Sequence, residues 1–238
     1  MAEPYSDDFT LPVLEAGVSP LHGYRGPQDE GPPPRIPAGL TIAISREAGS
    51  RGATIAKRAG EKLGWDLYTQ DMLDYIVQTT AVRNELQEKL PVGAAEWAEQ
   101  HMQRLAKEPL LGRNPAIQDL TRLVLMLGAQ GNIILLGRGA GFLLPQHTTL
   151  HVRLVAPLAD RIAYMSQWLR LTEQEAAEQV HKRDHRRTDF LAMHFHRKPN
   201  DVHDYDMVLN TSMLGEERCA DLVAAAAKAK MSAIVGMD

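Results

Sequence analysis

Residues 40–64 read LTIAISREAGSRGATIAKRAGEKLG, and this stretch decides the fold class. Leu40-Thr41-Ile42-Ala43-Ile44 is an apolar, β-prone run. The turn Ser45-Arg46-Glu47-Ala48-Gly49-Ser50-Arg51-Gly52 follows, rich in Gly and Ser. An amphipathic helix then begins near Ala53, with Ile55, Ala59 and Leu63 on one face and Gly64 placed to end it. Strand, glycine turn and helix in that order bring free backbone N–H groups and the helix dipole to one point, where an anion such as phosphate is favoured.

The turn departs from the Walker pattern G-x-x-x-x-G-K-[ST], whose lysine reaches the outer phosphates. Here Arg51 precedes Gly52 and Thr54 follows two residues later, with no lysine between them. Arginine binds phosphate oxygens in a fork, with a reach and geometry unlike lysine's. The same residues also fit an ordinary strand–turn–helix whose glycines only relieve backbone strain.

Working outward, the 238 residues suffice for one sizeable α/β domain with an arm. A net charge of −4 gives no electrostatic reason to expect nucleic acid or an anionic membrane as partner. The single cysteine, Cys219, excludes an internal disulfide framework and fits a reducing compartment. The amino terminus MAEPYSDDFT lacks the layout of a signal peptide, and no apolar run approaches membrane-span length, so the expected location is the cytoplasm. Residues 1–38 are rich in proline and form a flexible arm on this reading, with 9–14 (FTLPVL) as a segment that could dock. The domain is expected over 39–238.

After the first helix, Trp65-Asp66-Leu67-Tyr68 reads as a short strand and Gln70–Gln78 as a helix. Residues 84–105 form a polar helical stretch broken at Pro91 and Gly93, and 117–130 a more apolar helix. Ile133-Ile134-Leu135-Leu136 suits a parallel strand buried on both faces. It ends in Gly137-Arg138-Gly139-Ala140-Gly141, which places a lone arginine where open α/β sheets bind ligands, though the same residues also fit a tight strand–helix turn with a solvated arginine. Thr149–Val155 is a further strand, and Pro157 opens a helix containing Arg161. Thr172-Glu173-Gln174-Glu175 is a capping box. Its helix runs into the basic stretch 181–189, HKRDHRRTD. Residues 206–212 hold the last strand and its exit turn, and 216–230 an alanine-rich helix. The alternation of strand and helix favours a doubly wound parallel sheet with helices on both faces.

Four stretches in register then resemble the cytidylate kinase-like family of P-loop nucleoside monophosphate kinases: ISREAGSRGATIAKRAGEKLG, LLGRGAGFLLP, LHVRLVAPLADRI and YDMVLNTSML. The resemblance covers about residues 40–230 and implies a P-loop kinase sheet with a helical acceptor-binding insert and a short lid at 181–189. It implies transfer of the γ-phosphoryl of ATP, with Mg2+, to a nucleoside monophosphate such as CMP. Phosphate binding then falls to Arg46, Gly49, Ser50, Arg51, Gly52, Ala53 and Thr54, with Thr54 also near the metal. Arg138, Gly139 and Asp71 would serve the acceptor, and Asn210, Thr211 and Ser212 the donor base. Arg183, Arg186 and Arg187 would close over the reaction centre, with Asp184 orienting one of them. Arg161 is a weaker candidate, read as a surface residue.

The resemblance has gaps. True cytidylate kinases carry Gly-Lys-Gly-Thr where this chain has Arg51-Gly52-Ala53-Thr54, and an aspartate where it has Gly139. The alternative reading is therefore a nucleotide-binding sensor or scaffold that does not turn over. A second copy of the chain is a further candidate partner. The histidines His181, His185, His194, His196 and His203 crowd one region but fit no standard zinc spacing.

Overall fold

The apolar run after Gly39 forms the middle of the sheet. In this computed structural model, which describes residues 36–107 and 114–235, strand β1 spans Thr41–Arg46. The arm, including segment 9–14, lies outside the described residues apart from positions 36–38. Helix α1 (Gly52–Leu63) ends at Gly64, whose φ of 69° is the left-handed conformation that glycine adopts without strain. The chain continues through β2 (Asp66–Tyr68), α2 (Gln70–Gln78), α3 (Thr80–Lys89), α4 (Ala94–Lys107), α5 (Pro115–Gln130) and β3 (Ile133–Leu136). It then runs through α6 (Ala140–Leu143), β4 (Thr149–Val155), α7 (Leu158–Leu169), α8 (Glu173–Phe195), β5 (Met207–Asn210), α9 (Thr211–Leu214) and α10 (Glu216–Val235).

The strands lie in the order β2-β3-β1-β4-β5, and every pairing is parallel. β1 pairs in register with β3 (Thr41 opposite Ile133) and with β4 (Thr41 opposite Thr149). On one face Ile42, Ile44, Val152 and Leu154 pack under α1 and α10 with Ile55, Ala59, Cys219 and Val223. On the other, Ala43, Ile133 and Leu135 pack with Leu73 of α2, Leu120 and Leu127 of α5, and Phe195 of α8. Both faces are covered, which is why β3 is apolar without alternation. Cys219 is a fully buried core residue, as its place on an alanine-rich helix suggests.

The connection leaving β1 heads for the β2 edge and that leaving β4 for the β5 edge. The carboxyl ends of these neighbouring strands therefore frame a crevice at a topological switch point. No helix among the described residues is long and apolar enough to cross a membrane.

Candidate active site

The turn after β1 is shaped by two left-handed residues, Gly49 (φ 79°) and Arg51 (φ 59°). A Cβ on Gly49 would lie 2.5 Å from the Arg161 carbonyl oxygen, so the loop rests on the backbone of α7. Ser50 is fully buried, and its hydroxyl donates to the Glu47 carbonyl at 2.9 Å, so it braces the loop from inside. Arg51 occupies the N-cap of α1 and offers no side-chain acceptor, and the first turn holds no acidic residue. The amides of Gly52, Ala53 and Thr54 are thus left for an anion. Arg51 itself turns aside, its guanidinium 5.1 Å from the Tyr164 ring and 3.8 Å from Glu216.

Beneath the loop lies a charged knot. The two Asp184 oxygens accept from Ala48 N–H at 2.7 Å and from Arg161 Nη1 at 2.5 Å. Arg161 also donates to the carbonyls of Ala156 and Ala48 at 3.0 and 3.2 Å and lies 3.4 Å from Glu47. At 9% exposure it is buried, which corrects its reading as a surface residue. It lies four residues before buried Met165, on the inward stripe of α7. Arg187 reaches the same Asp184 carboxylate at 3.5 Å. Burial lowers the Arg187 pKa, Asp184 opposes that shift, and Arg183 and Arg153 add to it. The stretch 181–189 is continuous α8 helix, opened by a complete Thr172–Glu175 capping box, so the basic run sits inside one long helix. Arg186 is exposed on it.

The turn after β3 supplies the second group. Arg138 has φ 54°, pairs with Asp74 of α2 and stacks 5.3 Å from Phe190 of α8. Its Nε is buried without a hydrogen-bond partner, an orphan donor suited to an anion. Burial raises the Asp74 pKa, and Arg138 partly offsets that rise. A Cβ on Gly139 would lie 2.5 Å from the Phe195 ring, so packing requires glycine there. Arg46, at the end of β1, lies against Gly137 of this turn. Its pKa is lowered to about 9, first by burial and then by Arg187, while Asp71 opposes and Arg138 reinforces the shift. Asp71 thus faces the same cluster from α2.

The residues expected near the donor base are engaged locally. Asn210 Oδ1 caps α9 by accepting from Ser212 N and Met213 N at 3.1 and 3.2 Å. Thr211 is buried and donates to the Val155 carbonyl at 3.3 Å, while Ser212 is exposed.

One polar set on β4 was not singled out from sequence. His151 is buried, with Nδ1 2.8 Å from the Asp204 carbonyl and Nε2 3.2 Å from Ser45 Oγ. The first contact requires the proton on Nδ1, so Nε2 accepts from the serine. Burial drives the His151 pKa down to about 4. Arg153 lies beside it, 5.9 Å from the Tyr205 ring. The alternation Thr149, His151, Arg153 against Leu150, Val152, Leu154 was the available signal, since period two puts both on one face.

Among the described residues no group of three or more His, Cys, Asp and Glu could hold a metal. His185 and His203 pair outward with Asp189 and Asp201. An uncapped helix start with a nearby Thr54 hydroxyl fits magnesium carried on a polyphosphate, an ion that keeps several waters and seldom needs an all-protein cage. A groove of about 280 Å³ between α3 and α5, lined by Arg83, Gln87, Asp119 and Arg122, involves none of these residues.

A doubly wound parallel sheet with an anion-suited loop after its first strand defines a P-loop kinase-type α/β fold. Residues 41–213 match the sequence profile of the cytidylate kinase-like family, and the chain belongs to that family. An uncharacterized protein from Eubacterium ventriosum superposes with a TM-score of 0.61 at 15% identity, over 79% of this chain and 98% of that one. A shikimate kinase from Bacteroides thetaiotaomicron aligns with a TM-score of 0.44 at 12% identity, over 79% and 95% of the two chains. A uronate isomerase of Corynebacterium glutamicum is 30% identical over 118 residues, 50% of this chain and 23% of that protein. The chain thus spans less than a quarter of that curated relative.

Proposed function

We propose that this protein is a phosphotransferase that moves the γ-phosphoryl of ATP to a nucleoside monophosphate of the CMP type. The observation that carries the reading is convergence. The uncapped start of α1 and the arginines Arg46, Arg138 and Arg187 meet at the same carboxyl end of the sheet. Phosphoryl transfer needs little covalent help from the protein, and positioning with charge neutralisation does most of the work.

On this reading the amides of Gly52, Ala53 and Thr54 hold the donor phosphates. Thr54, at the start of α1, is the residue that would face magnesium brought in with the donor, which would supply charge neutralisation at the donor phosphates. Arg138, opposite Asp74 and Asp71, holds the acceptor phosphate. Arg183 and Arg187 lie one helical turn apart on α8 and flank the moving group from above. An acceptor phosphate oxygen forms the new bond to γ-phosphorus. The bond to the β–γ bridging oxygen breaks, and its electron pair leaves with ADP.

A second reading, a nucleotide-binding sensor without turnover, draws support from the missing lysine and from Asn210 and Thr211 being engaged locally. Coupled ADP release, measured over a panel of nucleoside monophosphates, separates the two. Acceptor-dependent release supports the kinase. Triphosphate binding without such release leaves the sensor.

A further inference from the structure

Arg46 leaves β1 between two glycines that belong to different halves of the site. A Cβ on Gly52, the first residue of α1, would lie 3.0 Å from Arg46 Cγ and 3.1 Å from its Cβ. A Cβ on Gly137, in the turn after β3, would run into Arg46 Nη1. The stem therefore lies along the start of the donor helix, and the guanidinium ends at the acceptor turn. Glycine at both positions is what lets the side chain take this course.

No hydrogen bond or ion pair answers Arg46 among the described residues. Asp71 acts on it at longer range, while Arg187 and Arg138 stand near enough to oppose its charge. Like charges gathered in a partly desolvated place raise the free energy of the unliganded site, and a polyanion between them relieves it. Arg51, the residue next to the missing lysine in sequence, faces Tyr164 and Glu216 instead.

We infer that Arg46 is the bridging cation of this site, contacting the γ-phosphate of a bound nucleoside triphosphate and the acceptor phosphate, in place of the lysine that the loop lacks. The inference rests on the phosphotransfer reading above. It relocates the essential positive charge from the loop to the end of the strand beneath it. A guanidinium can serve two phosphates at once because its five N–H donors point in a fixed fork.

The test is calorimetric titration of the full chain with ATP and, separately, ADP, for wild type, Arg46→Met, Arg46→Lys and Arg51→Ala. Arg46→Met should weaken ATP binding roughly ten- to a hundredfold while leaving ADP binding nearly unchanged, the range expected for losing a charge-assisted hydrogen bond. Arg46→Lys should recover part of the loss, and Arg51→Ala should keep the wild-type preference for ATP over ADP whatever it does to both affinities, because its side chain faces Tyr164 and Glu216. An Arg46→Met protein that keeps the wild-type preference for ATP over ADP overturns the inference. Absence of ATP binding by the wild type instead overturns the phosphotransfer reading on which it stands. A measurement on unaltered protein guards against a variant that does not fold. ATP, and not ADP, should protect Arg46 from an arginine-selective dicarbonyl reagent read by mass spectrometry. Equal modification with and without ATP counts against the bridge.

Discussion

The Asp184 carboxylate on α8 accepts from Arg161 Nη1 on α7 at 2.5 Å, and its other oxygen accepts from Ala48 N–H at 2.7 Å. One side chain thus joins two helices to the loop after β1. Replacing it with Asp184→Asn keeps the shape but leaves the buried Arg161 guanidinium with Glu47, 3.4 Å away, as its remaining counter-charge. The expected loss is about 2–3 kcal/mol of unfolding free energy, below that of a fully buried pair because Asp184 keeps some solvent contact. Chemical denaturation measures this loss. Faster amide exchange at Ala48 distinguishes loosening of the loop from general destabilisation.

Arg138→Ala should abolish binding of CMP, the acceptor probe, while the fold survives, and unchanged affinity by calorimetry removes Arg138 from the site. The variant also carries a pH signature. Asp74 already has a raised pKa from burial, held down in part by Arg138. A carboxyl whose folded pKa exceeds its unfolded value destabilises as pH rises through that window. Without Arg138 the window widens upward, so the deficit against wild type should be smallest in acid and grow as pH rises above the ordinary carboxylate range.

Restoring the aspartate of true cytidylate kinases by Gly139→Asp should not confer cytosine recognition. The residue sits at φ 70° with the Phe195 ring against its Cα. Left-handed strain and overpacking together should cost about 2–4 kcal/mol, read as a fall in Tm. A stable Gly139→Asp protein would show that Phe195 yields.

His151 gives a pH dependence of the opposite sign to Asp74. Its folded pKa of about 4 lies below the ordinary imidazole value of 6.5, so the unfolded chain binds the extra proton between those values. Stability is full above the upper value and falls as pH drops through the window. Between pH 6.5 and 5 the loss should be about 2 kcal/mol, from about 1.4 kcal/mol per unit. His151→Asn, which retains a donor toward the Asp204 carbonyl, should flatten that part of the denaturation-versus-pH curve. An unchanged slope would assign the dependence to other groups.

Much of the fold could be read from residue patterns because local chemistry and tertiary packing agree there. Helix α2 has the bounds that its apolar positions suggest, and the Thr172 capping box and Gly64 terminator do what their side chains allow. Agreement of this kind marks segments where propensity, capping and burial point the same way. The site was harder. Sequence order shows which residues follow a strand, but not that Arg51 would bend to Tyr164 while Arg46 runs under the loop. Position alone likewise could not show that Asn210 would cap its own short helix. An undervalued residue and a missed one left traces. Arg161 is a charge on the stripe of Met165, and His151 shares its strand face with Arg153.

The seating of Gly49 on the α7 backbone has a mechanical result. Because no side chain separates them and Asp184 ties Ala48 to the neighbouring helix, the loop is braced against α7 and α8 together. Any displacement of either helix would therefore be felt at residues 48 and 49, and the turn after β1 cannot be reshaped without disturbing the helices it rests on.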